Sequence, residues 1–283
     1  MKTIIVCIKQ IPDTTHIKID PVTHNLIREG VDSIMNPDDR TAIEMALELK
    51  ENTGAEVIAV SMGPMQAKDV LREALELGAD RAVLLCDRKV AGSDTLATGY
   101  CLSEVIKRLK GDLILCGSEA LDGCTGQVGP QIAENLKIPS FTYVEEIKEL
   151  KDNIVVISRI GDKTMDTYQA HLPLLLCVKK RKITRKKNQL VKKRVELWNA
   201  SELDEERIGI KGSPTQVVTI RHGSSKNDYL HVPYDMELNE RMEYIFCGGM
   251  EAKKAAVQRG NPQQLAEIIY QSFFQGAIRD ENQ

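Results

Sequence analysis

Up to about residue 140, short apolar runs alternate with longer amphipathic stretches, and this alternation restricts the fold more than any other feature of the chain. Residues 3–8 (TIIVCI), 56–61 (EVIAVS), 81–86 and 112–116 are apolar and bounded by polar residues, the pattern of strands covered on both faces. Between them, 36–50, 65–77, 95–109 and 126–136 read as helices, with Ile43, Ala46 and Leu47 on one face of the first. Asn36 is a good N-cap, Pro37 suits the first helical position, and Asp38 and Asp39 favour the positive end of the helix dipole. Gly78 and Gly111 suit helix ends, and Pro139 follows the fourth helix. Such alternation predicts βαβ units and an α/β fold: a mostly parallel, Rossmann-like sheet with helices on both faces.

The segment between the first strand and the first helix is long, and 18–20 with 25–28 can form a small hairpin. After residue 140 the period changes. Residues 142–150, 154–160 and 163–170 read as antiparallel strands with polar turns between them, and 172–178 as one more apolar strand. Next come a basic strip, a short strand at 195–198, a loop at 209–214, and two helices at 250–259 and 262–277 in a C-terminal arm. The expected organisation is an α/β nucleotide-binding domain over 1–178 and an extension over 179–283.

The net charge of −3 hides a split. Residues 179–194 (KKRKITRKKNQLVKKR) hold ten Lys and Arg and no acid; removing them from the 38 basic residues leaves 28 against 41 acidic ones. An acidic body carrying one basic strip excludes a uniformly basic nucleic-acid coat, while a local polyanion or partner site stays open. No apolar run approaches the roughly 18 residues of a membrane span, and the N-terminal run lacks the signal-peptide pattern. Seven scattered cysteines without a C-x-x-C pair point to reduced thiols in the cytoplasm. The five histidines show no metal-ligand spacing, and no Ser/His/Asp set stands out, so binding or cofactor-borne chemistry is expected.

In parallel α/β sheets ligands collect at the carboxyl ends of the strands, where helix N-termini offer free N–H groups. Four loops qualify. The first holds Cys7, Ile8 and Lys9, with Lys9 able to meet a phosphate or an acid. The second, with Ser61 and Gly63, turns tightly from strand to helix. The third carries Asp94, Thr95 and Thr98 among small residues that leave room for a ring system. A solvated lysine, a plain turn and a capped helix account for these three equally well. The fourth runs from Gly117 through Asp122, Gly123, Cys124, Thr125, Gly126, Gln127 and Val128 into a helix. Its glycines can bring backbone N–H groups to a pyrophosphate, although it is neither a Walker loop nor a G-x-G-x-x-G fingerprint.

Several blocks in order resemble the β subunit of electron transfer flavoprotein: Val6-Cys7-Ile8-Lys9-Gln10-Ile11-Pro12-Asp13, Met35-Asn36-Pro37-Asp38-Asp39, Ser61-Met62-Gly63-Pro64, Gly78-Ala79-Asp80-Arg81, and Asp122-Gly123 through Gly129-Pro130. The resemblance covers about 1–178 and continues weakly at 195–198 and 209–215. Ser93-Asp94-Thr95-Leu96-Ala97-Thr98 and the 122–130 loop place the chain with the flavin-bifurcating members. It departs from them at Cys124, where they have Asp, and at Gly126, where they have Ala; after residue 178 the basic strip replaces the loop that docks partner dehydrogenases.

The resemblance implies FAD in this subunit, with Lys9 and Asn36 near the adenosine end. Thr125, Gln127 and Val128 would lie on ribose or pyrophosphate, and Asp94, Thr95 and Thr98 along the flavin. It also implies a heterodimer with an α subunit, contacted by the C-terminal extension. NADH would donate electrons, and the acceptors would be an acyl-CoA dehydrogenase or similar redox partner and ferredoxin or flavodoxin. Two rivals remain: a simple carrier holding AMP as a structural ligand, and an adenine-nucleotide-binding regulator using the basic strip on nucleic acid. The lack of aromatics interleaved in the strip argues against the second, and neither nucleic acid nor membrane insertion is expected.

Overall fold

Along the first strand, alternate side chains enter two different hydrophobic cores. Ile4 and Val6 pack with one cluster and Ile5 and Cys7 with the other, all at most 7% exposed. A strand that is apolar on both sides is satisfied only if both faces of the sheet are covered. The computed structural model describes residues 1–13, 18–19, 26–27, 33–181, 194–215 and the isolated positions 261 and 263.

In chain order the elements begin with β1 (Thr3–Cys7), β2 (Gln10–Pro12), β3 (Lys18–Ile19), β4 (Leu26–Ile27), β5 (Ser33–Met35) and α1 (Pro37–Thr53). Then follow β6 (Glu56–Met62), α2 (Lys68–Leu77), β7 (Arg81–Leu85), α3 (Thr95–Leu109), β8 (Leu113–Gly117) and α4 (Val128–Leu136). The described part closes with β9 (Ser140–Lys151), β10 (Ile154–Ile160), β11 (Met165–His171), β12 (Leu174–Val178) and β13 (Glu196–Trp198).

One nine-stranded sheet holds most of these strands, in the order β11-β10-β9-β12-β8-β1-β6-β7-β13. From β12 to β13 every pairing is parallel, whereas β9, β10 and β11 pair antiparallel with one another. The predicted α/β sheet with an antiparallel extension is therefore what forms. β9 also pairs parallel with β12, and this joins the extension to the main sheet. Helices α1 and α2 cover one face through Ala42, Ile43, Leu47, Val70 and Leu71. Helices α3 and α4 cover the other through Cys101, Val105, Ile106 and Ile132. Each fully buried Leu or Ile of these cores contributes roughly 1.5–3 kcal/mol relative to leaving it in water.

Most element boundaries fall within a residue or two of the sequence reading. Helix α1 runs a further turn, to Thr53, and ends on Gly54 in the left-handed region at φ 69°. The stretch from Met65 starts as a 3₁₀ turn before α2 begins at Lys68. The fourth helix begins at Val128 and not at Gly126, because Gly126 adopts φ 62° and so stays in the loop. The expected hairpin exists as the β3–β4 pair. The β2–β5 pair, which brings Gln10 beside Met35, was not foreseen; its strands are three residues long and carry no periodic signal.

The chain divides into two compact units, Met1–Gly223 and Ser224–Gln283. In the first unit, β13 adds to the sheet edge beside β7 and is pinned by a two-pronged ion pair of Arg81 with Glu196. In the second unit the described positions show one hydrogen bond, the Gln263 N–H donating to Asn261. Most of the basic strip (182–193) and the helices expected at 250–259 and 262–277 lie outside the described residues.

Helix α4 approaches the sheet at Gly129, where a Cβ would come within 2.4 Å of the Cys177 sulfur and 2.8 Å of the Cys116 sulfur. Gly129→Ala should therefore lower the unfolding free energy by about 1–3 kcal/mol through overpacking. Combined with Cys177→Ala, its cost should fall well below that in the parent, a strong non-additivity that urea denaturation of the two single variants and the double variant would register. Simple additivity would show that the thiol is not what α4 presses against.

Candidate functional site

Strands β6 and β7 extend the sheet to one side of β1, and the chain then crosses back through α3 to place β8 on the other side. Where successive strands depart in opposite directions, the carboxyl ends leave a crevice. Here the crevice opens between β1 and β8, and it is held by the first turn of α1. The Asp39 carboxylate accepts the Lys9 N–H after β1 and the Gly117 N–H at the end of β8, both at 2.8 Å. Asp38 accepts from the Lys180 N–H at 2.9 Å, just past β12. The Asn36 side chain donates to the Glu119 carbonyl at 2.9 Å and accepts from the Leu121 N–H at 3.3 Å. The N-cap role expected for the Asn36 side chain is thus not filled, since its amide is spent on the β8 loop. Asp38 and Asp39 act as acceptors for the ends of three strands as well as lying at the helix dipole.

Burial pushes the Asp39 carboxyl up to about 7, even though the N–H groups of Lys9 and Gly117 and the Asn36 side chain pull the other way. Gly117 has to be glycine here: a Cβ would lie 2.3 Å from an Asp39 oxygen.

Above this clamp lies a cavity of about 1010 Å³ bounded by the ends of β8, β1, β6 and β7 and by the N-terminal ends of α3 and α4. Fifteen of the seventeen residues picked from the sequence line it: Cys7, Ile8, Lys9, Asn36, Gly63, Asp94, Thr95, Thr98, Gly117, Gly123, Cys124, Thr125, Gly126, Gln127 and Val128. Ser61 does not; it is 2% exposed inside the sheet. Asp122 stands off the lining and pairs with Lys9 at 2.8 Å, a half-exposed ion pair of modest worth.

Two buried thiols, those of Cys7 and Cys116, line the floor, and Cys177 lies next to them in the sheet. Cys7 sits beside Cys116 and Cys116 beside Cys177 in adjacent strands, with the Cys116 and Cys177 sulfurs 3.5 Å apart. Burial, with the Asp39 charge adding to it, pushes the Cys7 thiol up to about 12. The contact with Cys177 and burial hold Cys116 far above its usual value. The Cys7 and Cys116 thiols are therefore protonated and inert, and they present a small apolar surface. All six described cysteines are free.

Asp94 caps α3 through one oxygen, accepting from the Leu96 and Ala97 N–H groups at 2.9 and 3.1 Å, and its other oxygen accepts from the Thr215 N–H at 3.0 Å. Burial raises its carboxyl, but those N–H groups outweigh it and hold the group below the usual range. Its charge is therefore directed at backbone. The Thr95 hydroxyl donates to the Gln127 side chain at 2.9 Å, joining loops three and four across the cavity wall. Gly123 lines the cavity, and a Cβ there would meet no protein atom within 4 Å, so backbone is exposed to whatever the cavity holds.

Met62, Met65, Val90 and Leu102 form an apolar wall toward β7, and Arg88 stands beside it. None of these was picked from the sequence. A methionine or leucine in an apolar run gives no sign that its side chain faces a cavity and not a core. The doublet Asp38-Asp39 at a helix start beside the reversal in strand order was a usable signal for the clamp.

A model of the electron transfer flavoprotein domain matches residues 23–203, a span containing loops two, three and four. The chain belongs to the electron transfer flavoprotein family. It is 47% identical over 222 residues to the electron transfer flavoprotein subunit beta of Clostridium acetobutylicum, covering 76% of this chain and 85% of that protein. Against the subunit beta of Thermoanaerobacterium thermosaccharolyticum it is 42% identical over 268 residues, 91% of this chain and 97% of the relative. The caffeyl-CoA reductase-Etf complex subunit CarD of Acetobacterium woodii is 46% identical over 224 residues, with 76% and 85% coverage. Among the described residues no helix is long and apolar enough to cross a membrane, and no group of His, Cys, Asp and Glu could hold a metal ion.

Asp39→Asn leaves one of the two clamped N–H groups facing an amide NH₂, and should destabilise the protein by about 1–3 kcal/mol. The native carboxyl, raised to about 7, binds its proton more tightly than the unfolded chain does. Its contribution to stability is therefore fully present at low pH and is lost as pH rises toward about 7. The difference in unfolding free energy between parent and variant should shrink from pH 4 to 7 and level off above. A difference that widens over that interval would contradict the assignment.

Proposed function

We propose that this protein is the β subunit of a flavin-bifurcating electron transfer flavoprotein, holding FAD in the cavity at the carboxyl ends of β8, β1, β6 and β7. The observation that carries this reading is the size and reach of the cavity. About 1010 Å³ sits at the upper end of the roughly 300–1,000 Å³ typical of ligand clefts. Three strand spacings of about 4.8 Å separate β8 from β7, roughly 14 Å, which is more than a mononucleotide needs. The β7 end is floored and walled by apolar and small side chains (Met62, Val90, Ala91, Gly92, Leu102), which suits a flat ring system. The likeness to CarD, named for a caffeyl-CoA reductase-Etf complex, points the same way.

Each part of the site has a task in this reading. Gly123, Gly126 and the free N–H groups at the start of α4 face a pyrophosphate, and the positive end of the helix favours its charge. Lys9 and Asn36 border the adenosine end. Thr95 and Thr98 edge the flavin, whose ring supplies the hydride and single-electron chemistry. The methionine and leucine wall excludes water from that ring. The buried Cys7 and Cys116 thiols at the β1 and β8 end of the cavity stay protonated.

The heterodimer with an α subunit takes electrons from NADH. It divides them between a low-potential carrier, ferredoxin or flavodoxin, and a higher-potential acceptor such as an acyl-CoA dehydrogenase. Residues 179–283 form the extension that contacts the α subunit, and the assembly works in the cytoplasm.

Heat release of nucleotides from the purified heterodimer, followed by chromatography, should give two FAD and no AMP per heterodimer. One FAD with one AMP would overturn the bifurcating reading and leave a simple carrier.

A further inference from the structure

Six charged side chains line the cavity, and five of them are already matched within the described residues. Asp39 holds the N–H groups of Lys9 and Gly117. Asp87 accepts from the Lys89 and Ala200 N–H groups, each at 3.0 Å, and Asp94 caps α3. Glu119 pairs with Lys179, and Lys9 with Asp122. Arg88 is the exception: among the described residues its guanidinium has no ion-pair or hydrogen-bond partner.

Its place is fixed nonetheless. Arg88 opens a 3₁₀ turn, Arg88–Val90, directly after β7. That turn is capped by Asp87, which also binds the Ala200 N–H beyond β13, while Lys89 is tied to Glu205. Anchored backbone on both sides presents an unmatched cation at the β7 end of the cavity, beside the apolar Val90 and Leu102. Arg88 is exposed at the rim of the cavity, open to an incoming ligand. A mononucleotide seated on loop four, at the β8 end, would not reach it.

We propose that Arg88 is the specificity-determining residue of this site, selecting a dinucleotide over a mononucleotide and favouring the reduced form of its ring system over the oxidised form. This inference rests on the FAD reading above. When NADH gives up hydride, its C–H bond breaks, an N–H bond forms on the flavin ring, and both electrons go with the hydrogen. NAD⁺ leaves, and the ring carries one more negative charge. A guanidinium at the ring end stabilises that charge more than the neutral ring, so it tightens binding of the reduced form and raises the potential of this flavin. Its planar fork of five N–H donors would pair with a carbonyl edge of the ring, which a lysine would meet only as a point charge.

The test uses the heterodimer stripped of nucleotide, as wild type, Arg88→Gln and Arg88→Lys. Titration calorimetry gives the FAD and AMP affinities of this site, and dye-coupled reductive titration gives the potential of its flavin. Arg88→Gln should weaken FAD by about tenfold or more, leave AMP within about twofold, and lower the potential. Arg88→Lys should recover more of the potential than of the FAD affinity. FAD and AMP weakening together would mark Arg88 as merely structural and overturn the assignment, as would an unchanged FAD affinity and potential. A wild-type site that holds AMP and rejects FAD would overturn the FAD reading and this assignment with it, whereas normal FAD binding with an indifferent Arg88→Gln removes the assignment alone.

Discussion

Everything at the carboxyl edge of the sheet depends on the first turn of α1. Three consecutive strand ends, those of β1, β8 and β12, finish in loops whose backbone N–H groups would otherwise be buried without partners, and an unpaired buried N–H costs about as much as a lost hydrogen bond. Asn36, Asp38 and Asp39 supply the acceptors. The loops that line the cavity are therefore held open by a polar clamp beneath them and not by contacts within the cavity. The clamp has its own cost. Burial lifts Asp39 toward neutrality, so the group that holds the crevice works against desolvation.

A second constraint is how charge is distributed around the cavity. Its acids are turned into the protein, toward backbone N–H groups and Lys179, and the Cys7 and Cys116 thiols on its floor are kept protonated by burial and by the Cys177 contact. What faces the interior is mainly backbone, small side chains and an apolar wall, with Arg88 as the unmatched charge among the described residues. Such a surface suits a cofactor that brings its own chemistry, because the protein then contributes orientation, exclusion of water and electrostatics. The chain belongs to the electron transfer flavoprotein family.

Much of this was legible in the sequence where the signal was local. Strand and helix periods gave the α/β architecture, and the glycine-rich stretch after β8 pointed to one wall of the cavity, which Gly117, Gly123 and Gly126 line. A cap at Ser93 or Asp94 was readable from polar residues just before the helix, and the structure gives the role to Asp94. Other features were not legible because they depend on pairings distant in sequence. The Asn36 side chain is diverted from capping its own helix by Glu119 and Leu121, more than eighty residues away. Ser61 occupies a promising loop position but turns into the sheet, because alternation along β6 puts it there. The apolar wall at Met62, Met65, Val90 and Leu102 looks in sequence like core.

The sequence by itself determined the alternation of strands and helices, the two-faced burial of the central strands and the position of the glycine-rich loop before α4, because each follows from the spacing of residue types over a few turns. Only the tertiary structure decided where the cavity lies and which charges remain unmatched within it. Those depend on the strand order, with β8 returning to the far side of β1. No local pattern encodes that return: it is fixed by packing α1 and α2 on one face and α3 and α4 on the other, and by the carboxylate of Asp39 reaching both strand ends at once.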